Sequence, residues 1–487
     1  MNTNRRLILP LTYFALLFLC VSVATVISQT ETPPAPAAPK TVTVPAVQEK
    51  KLPNGLTVAV IERKSSPIVT VQLLVRSGAY VESVEKAGLA NLTADLLTKG
   101  TKTRSATQVA DEMAFLGSEL NTGAGWRSST VSFTVTTDKL SPALGLMADV
   151  VLNPSFKQEE LDLLKSQTLD ELKSALKQPG FIANYVAAKY TFGEHPAGGT
   201  PESIAAITRA DVVGFHDAYS PLNSVLIFAG DITLDQAVAA ATKAFGSWKV
   251  DAPAAKGEGS SIGRGQTSDI GRILVVDLPN SGQAAVTYAQ RVPQIGRGDK
   301  RFYDASVLNS VLGGGYSSRL NYEIRIKRGL SYGAGSSFGW RSSTANFTAR
   351  AQTKNESAAQ VAELTVAEIK RLRSEAVSAS ELTPRKSVLT GNFGRSLETT
   401  AGLAAAVGDL YSFGISTTEL NKYMSNVNAV SDAQIREFAS TELSGGDLII
   451  VGDYSVFKDD LAKRFPGVKL DVVKANDLDL SKDNLSR

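Results

Sequence analysis

The chain has 487 residues, of which 43% are hydrophobic and 20% are charged, a composition typical of a globular protein that can build two or more cores. Its 51 Lys and Arg residues nearly balance 48 Asp and Glu residues. Because the formal net charge is only +3, we exclude nucleic-acid binding as a function class.

The N-terminus has the charge and hydrophobicity order of a secretory signal peptide. Arg5 and Arg6 precede a long apolar run. We predict a signal peptide at 1–29 and an extended Pro/Ala-rich linker at 30–48. The alternative is an uncleaved membrane anchor, since about 20 apolar residues can span a bilayer. Either way the body of the protein lies outside the cytoplasm, periplasmic or secreted. The only cysteine, Cys20, lies in this run, so a cleaved chain has no disulfide.

The first half alternates strand-like and helix-like segments. An Asn-Gly turn and β-branched residues indicate strands, whereas helical spacing of apolar residues and a cap at Ser105 indicate helices. Strands are predicted at 52–63, 68–79 and 126–137, and helices at 88–101, 105–120, 143–154 and 157–177. This alternation predicts a layered α/β (α+β) protein in which helices pack on a sheet.

Similar segments recur in the second half. A strand-like run ends in a Gly-Asp pair at Gly230 and again at Gly452, 222 residues later. The run from Leu56 resembles the run from Arg272 with an offset of 216 residues. We therefore predict two homologous units.

The composition predicts where these units begin and end. We place an N-terminal domain at 49–250, a Gly/Ser/Ala-rich linker at 251–269, a C-terminal domain at 270–470 and a loose polar tail at 471–487.

One stretch in the second half, Gly313–Ser336, combines permissive turns with a cation and a phenol. Arg328 and Tyr332 are four residues apart, so they would share a face of a helix, and in a turn they could converge on one acceptor. Both side chains donate hydrogen bonds to carbonyl oxygens. The alternative is structural: an arginine at a helix end usually binds the last carbonyls, and a tyrosine after a glycine turn usually packs.

Several blocks together carry a family resemblance. They are LPNGLTVAVIE, GLANLTADLLTKGT, RGLSYGAGS and the long segment FGEHPAGGTPESIAAITRADVVGFHDAYSPLNSVLIFAGDIT. In these residues and in their order, the chain resembles the insulinase-like (M16) metallopeptidase family over nearly its whole predicted mature length. The resemblance implies two homologous domains, each a mixed, mainly antiparallel sheet covered by helices, arranged as one half of a clamshell.

The resemblance also implies that the zinc motif is degenerate. Active members carry H-x-x-E-H on a helix, with two histidine ligands, a glutamate base and a later glutamate ligand. Here Asn91, Ala94 and Asp95 replace the two ligands and the base, and only Glu171 matches, at the later ligand. The chain is therefore expected to have no catalytic residue in its own zinc site and to bind no metal or other cofactor.

Other catalytic chemistry finds little support. The chain has two histidines, His195 and His216, and neither lies in the zinc-motif segment. A hard-cation site on Asp95 and Glu171 would need several more oxygen ligands. No nucleophile elbow indicates a serine hydrolase, and GGGYSSR lacks the Gly-Lys-Ser/Thr of a phosphate-binding loop.

The resemblance assigns the second-half stretch a role in substrate binding. Family members use an Arg and a Tyr to contact the substrate backbone opposite zinc, and Arg328 and Tyr332 match these residues. Such donors stabilise developing negative charge on a carbonyl. The segment Gly123–Thr130 is a candidate for binding a peptide along a sheet edge, with an ordinary turn into a strand as its alternative.

Some small bacterial M16 enzymes divide these duties between two chains. We therefore predict an exported zinc-less subunit, inactive alone, that forms a heterodimeric metallopeptidase with a zinc-bearing M16 partner and peptide substrates. The alternative is a non-catalytic scaffold of the same fold that binds peptides or another protein.

Overall fold

The structure is a computed structural model that describes residues 43–249 and 269–487. The predicted signal peptide lies outside the described residues. Of the linker predicted at 30–48, only residues 43–48 are described, and of the linker predicted at 251–269, only residue 269 is described. Within the described ranges, no helix combines the length and the apolar character that a membrane crossing requires.

The described strands form two six-stranded sheets. The first contains β1 (Gln48–Lys51), β2 (Thr57–Glu62), β3 (Ile68–Val75), β4 (Asn121–Ala124), β5 (Ser129–Thr136) and β6 (Ser224–Gly230). The second contains β7 (Ile270–Asp277), β8 (Ala284–Pro293), β9 (Ala334–Trp340), β10 (Thr344–Thr353), β11 (Gly446–Gly452) and β12 (Leu470–Lys474). The strands predicted in the first half form β2, β3 and β5.

The two sheets have equivalent topologies. Their strand orders are β1-β2-β6-β3-β5-β4 and β12-β7-β11-β8-β10-β9. The pairs β2–β6 and β7–β11 are parallel, whereas β6–β3–β5–β4 and β11–β8–β10–β9 are antiparallel. Only the first edge differs, because β1 is antiparallel to β2 and β12 is parallel to β7. The predicted duplication and the mixed, mainly antiparallel sheets are thereby confirmed.

Helices pack on both sheets. In the first half they are α1 (Leu89–Leu96), α2 (Ala106–Phe115), α3 (Leu140–Leu152), α4 (Gln158–Ala175), α5 (Pro179–Tyr190), α6 (Pro201–Ala206), α7 (Arg209–Asp217) and α8 (Leu234–Phe245). In the second half they are α9 (Phe302–Leu312), α10 (Arg319–Asn321), α11 (Ala358–Ser374), α12 (Ala379–Ser396), α13 (Thr400–Phe413), α14 (Glu419–Ala429), α15 (Asp432–Glu442) and α16 (Tyr454–Arg464). Ser105 caps α2 through a reciprocal bond pair with Gln108, as predicted.

Each sheet buries one face under helices of its own half. Phe133 and Phe228 of the first sheet are fully buried in a core with Leu92 of α1. Phe347 of the second sheet is buried in an equivalent core with Leu308 of α9. These two cores are the main apolar cores of the two halves.

The opposite face of each sheet is covered by a helix from the other half. Ile182 and Val186 of α5 pack against Ile449 of the second sheet. In the reverse direction, Val407 of α13 packs against Ile227 of the first sheet. The two helices begin 221 residues apart, close to the sequence offset of the duplication. The halves therefore exchange equivalent helices.

The end of the predicted N-terminal linker is part of the fold. The backbone N–H of Val44 donates to Asn421 Oδ1 at 2.9 Å, and Asn421 Nδ2 donates to the carbonyl of Val44 at 3.0 Å. Val44 is buried beside α13. The segment 43–48 is thus held by a helix of the second half, a long-range contact that the linker composition does not indicate.

The predicted loose tail at 471–487 is wrong as a description of this segment. Residues Leu470–Lys474 form β12 and pair with β7, and beyond them Leu480 and Leu485 are buried. Arg487 pairs with Glu202 of the first half at 2.8 Å. The prediction relied on the polar composition of the segment. Two leucines, Leu480 and Leu485, nevertheless anchor this mostly polar segment.

Candidate functional site

The segment that the resemblance matches to the zinc motif lies on α1 in the first half. α1 follows Gly88, whose φ of +91° and close approach to Gly198 and Ile204 favour glycine. Asn91 and Asp95 are four residues apart and therefore share a face. Asn91 Nδ2 donates to the carbonyl of Ala197 at 3.0 Å, so its amide makes a structural contact.

Asp95 is a partly buried residue whose carboxyl group interacts electrostatically with Glu171. Burial raises the pKa of Asp95, Lys99 lowers it, and the charge of Glu171 raises it further. Glu171 of α4 is exposed. The two carboxyls are thus close enough for the charge of Glu171 to act on Asp95.

These residues do not fit zinc. The Asn91 nitrogen is a donor already bound to a carbonyl, Ala94 has no ligating atom, and two carboxylates do not replace two imidazoles and a base. Across residues 43–249 and 269–487, no three His, Cys, Asp or Glu side chains are grouped to hold a metal ion.

Neither histidine supplies the missing ligands. His195 is buried, with Nε2 3.0 Å from the carbonyl oxygen of Ala79 and Nδ1 3.8 Å from Glu82 Oε2. His216 Nε2 lies 2.8 Å from the carbonyl oxygen of Val151, and burial lowers the pKa of this imidazole. Both histidines are therefore part of structural contacts.

The second-half stretch does not form one continuous helix. α10 continues as a π-helical turn that ends at Ile326, and Gly329 adopts a φ of +63°. Arg328 Nη1 donates to the backbone carbonyl of Glu323 at 3.0 Å and pairs with its carboxylate. Arg328 thus makes the contact expected of an arginine at a helix end. Tyr332 lies in the following loop, and its side chain is 90% exposed.

An open cavity of about 880 Å³ lies beside this loop. It is bordered by the first turn of α5, by β8, by the end of β10 and by residues 329–335. Tyr332 and Arg325 line the cavity, whereas Arg328 does not. The structure therefore brings Tyr332 together with Arg325, which the sequence analysis did not select.

The signal for Arg325 in the sequence is its spacing from the tyrosine. Arg325 precedes Tyr332 by seven residues, whereas Arg328 precedes it by four residues. Which arginine lines the cavity with Tyr332 depends on where the helix ends, and the sequence does not mark that residue clearly because the turn at Ile326 is π-helical.

The segment Gly123–Thr130 contains both a sheet edge and a turn. Gly123 belongs to β4, which pairs with β5 and forms the edge of the first sheet next to α1. Trp126, in the turn, lies 5.2 Å from the His195 ring and 4.6 Å from the Arg341 guanidinium, measured from ring centroids. Arg341 also binds Glu194. The turn thus links the two halves, and the β4 edge remains the candidate for peptide addition.

The duplicated sheets and the exchanged helices define a two-domain protein in which each half is a mixed sheet covered by helices. Residues 57–197 match the family model described as insulinase (peptidase family M16), and residues 206–389 match the one described as peptidase M16 inactive domain. The two segments together span more than half of the chain. The chain belongs to the insulinase-like M16 family.

Individual proteins similar to this chain support the same family assignment. An uncharacterized zinc protease of Mycobacterium leprae is 33% identical over 288 residues, which are 58% of this chain and 63% of that protein. An uncharacterized zinc protease of Mycobacterium tuberculosis is 29% identical over 380 residues, 77% of this chain and 85% of that protein.

Solved structures share the fold. The peptidase M16 inactive domain from Pseudomonas fluorescens has a TM-score of 0.76 at 24% identity and covers 83% of this chain and 98% of its own. The periplasmic protease PqqL from Escherichia coli has a TM-score of 0.68 at 14% identity and covers 88% of this chain and 50% of its own. At these identities the likeness concerns the fold alone.

Proposed function

We propose that this chain is an exported, zinc-less subunit of a heterodimeric M16 peptidase. A zinc-bearing partner of the same family supplies the metal, and this chain supplies substrate contacts from its second half. One observation carries the proposal: the zinc-motif positions on α1 hold no suitable ligands, whereas Tyr332 stands exposed at an open cavity.

The proposed contacts are hydrogen bonds to the peptide backbone. The Tyr332 hydroxyl and the Arg325 guanidinium both donate and both line the cavity. Held near a scissile carbonyl, they would orient the peptide and stabilise negative charge on the carbonyl oxygen. Zinc in the partner would polarise that carbonyl and activate water. Arg328, the arginine predicted from the sequence, is the competing assignment.

Two further features support binding of an extended peptide by an exported protein. The β4 edge offers backbone groups to which a peptide strand could add. The charged and apolar N-terminal order of a signal peptide agrees with export, and the structural neighbour PqqL is described as a periplasmic protease.

Co-purification of the exported chain from its native host, followed by zinc analysis and peptide-cleavage assays, tests the proposal. We expect a stoichiometric, zinc-containing M16 partner whose cleavage activity requires this chain. Recovery of the chain alone, metal-free and inactive, would instead favour the non-catalytic scaffold.

A further inference from the structure

The cavity beside Tyr332 is positively charged. Its charged lining residues are Arg325, Arg350 and Lys354, and no Asp or Glu of the described chain lines it. Arg350 and Gln352 point to the exposed face of β10, and Lys354 follows just after the strand with the same alternation. Strand geometry therefore directs two of the three cations into one space.

These cations lack the carboxylate partners that other arginines have. Arg319 binds Glu381 through two hydrogen bonds of 2.8 Å. In contrast, no described carboxylate lies within ion-pair distance of Arg350 or Lys354. The guanidinium of Arg325 lies 5.1 Å from the centroid of the Tyr316 ring and has no described carboxylate as an ion-pair partner. Among the described residues, the three cationic donors of the cavity thus have no carboxylate partner.

The first turn of α5 adds to the positive potential. The N-cap residue of this helix, Gln178, makes no side-chain capping bond, and Gly180 and Phe181 of the first turn line the cavity. An ideal Cβ on Gly180 would lie 2.3 Å from Gln352 Nε2, so the start of the helix lies close to the Gln352 side chain of β10. Helix N-termini attract anions.

We infer that this cavity binds carboxylate groups of peptides and makes the protein selective for acidic peptide segments. The inference deepens the proposed function, on which its consequence for cleavage rests, but binding by this chain alone is a separate property. Arginine suits such a ligand because its guanidinium forms paired, charge-assisted hydrogen bonds with a carboxylate. The carboxylate can come from Asp or Glu side chains or from a peptide C-terminus.

Isothermal titration calorimetry with the full mature chain tests the inference. The probes are a blocked, C-terminally amidated peptide of Glu, Gly and Ser, the same peptide with Gln for Glu, and the Gln peptide with a free C-terminus. We expect the Glu peptide to bind about tenfold more tightly than its amidated Gln counterpart, with a preference that declines as salt increases.

Matched charge variants locate the effect. Arg350→Gln combined with Lys354→Gln should remove most of the roughly tenfold preference. The control removes two exposed lysines outside the cavity, Lys243→Gln and Lys463→Gln, and should keep the preference. Tight binding of the free-terminus Gln peptide alone would identify the C-terminal carboxylate as the ligand.

Three results would overturn the inference: equal binding of all three peptides, no measurable binding of any, or an equal loss in the control variant. The proposed function fails separately. An acid-selective chain without a zinc-bearing partner would leave the inference standing, whereas an active complex without acid selectivity would leave only the proposed function.

Discussion

The two halves of this molecule share a strand order but differ in what they present to a ligand. On α1 of the first half, the Asn91 amide is bound to a backbone carbonyl and Ala94 offers no ligating atom. In the second half, Tyr332 lines an open cavity with three cations, and no described Asp or Glu lines that cavity. The difference teaches that the sheets and the exchanged helices preserve the scaffold, while a few side chains set what each half offers to a ligand.

The exchanged helices give the largest expected effect. Ile182→Ala in α5 and Leu410→Ala in α13 each remove a fully buried side chain from the face between the halves. Each should lower the free energy of unfolding by about 3 kcal/mol. Guanidinium denaturation measures this, with Leu163→Ala, 55% exposed, as a control expected to change it by less than about 0.5 kcal/mol. Loss of only one of two separate transitions would show that the halves are independent.

The second-half loop gives the next largest effect. In the reconstituted complex, Tyr332→Phe and Arg325→Gln should each lower kcat/KM on the order of a hundredfold, because each removes a donor to the scissile carbonyl. Arg328→Gln is the matched control and should have a small effect, since Arg328 is paired with Glu323. Circular dichroism checks the fold of each variant.

The reverse outcome is equally informative. If Arg328→Gln abolished activity and Arg325→Gln did not, the sequence-based assignment of Arg328 would be correct and the geometric choice of Arg325 would fail. Activity unchanged in all three variants would remove the catalytic contribution of the loop altogether.

The smallest expected effect is on the pH dependence of stability. It contrasts two carboxylic acids, Glu82 before α1 and Asp299 before α9. Burial raises the pKa of Glu82 from 4.5 to about 7, against hydrogen bonds from the backbone of Ala90 and Gly88. The folded state therefore holds this proton more tightly than the unfolded state, and the contribution of Glu82 to stability falls as pH rises from about 4.5 to about 7. As pH rises across that window, the free energy of unfolding of Glu82→Gln should increase relative to that of the wild type by on the order of 2 kcal/mol.

Asp299 should show the opposite sign. The Arg301 hydrogen bond lowers the pKa of Asp299, so its contribution is present at neutral pH and lost as pH falls through the acidic range. Asp299→Asn should cost below about 1 kcal/mol at neutral pH and less in acid. Denaturation curves at several pH values measure both variants, and parallel pH profiles for wild type and Glu82→Gln would contradict the assignment for Glu82.

Local features of the fold were predictable where the signal is local. The Ser105 cap, the β-branched runs of β2 and β3 and the recurring Gly-Asp pairs all depend on residues near in sequence. The tail was mispredicted because Leu480 and Leu485 acquire their burial only through contact with α5 and the second sheet.

The candidate site divides in the same way. The replacement of the zinc ligands can be read directly from the sequence as Asn91, Ala94 and Asp95, because the ability to bind zinc depends on residue type. The choice between Arg325 and Arg328 depends on a helix end, and the clustering of Arg325 with Arg350 and Lys354 depends on the tertiary placement of a helical turn beside the end of β10.

By itself the sequence determined the duplicated sheets, the family resemblance and the residue types at the positions matched to the zinc motif, because periodicity, internal repetition and residue identity are all present in the linear chain. Only the tertiary structure decided that α5 and α13 are exchanged and that no Asp or Glu within 43–249 and 269–487 lines the cavity with its cations. Both depend on contacts between residues far apart in sequence, and burial and charge pairing are set by such contacts.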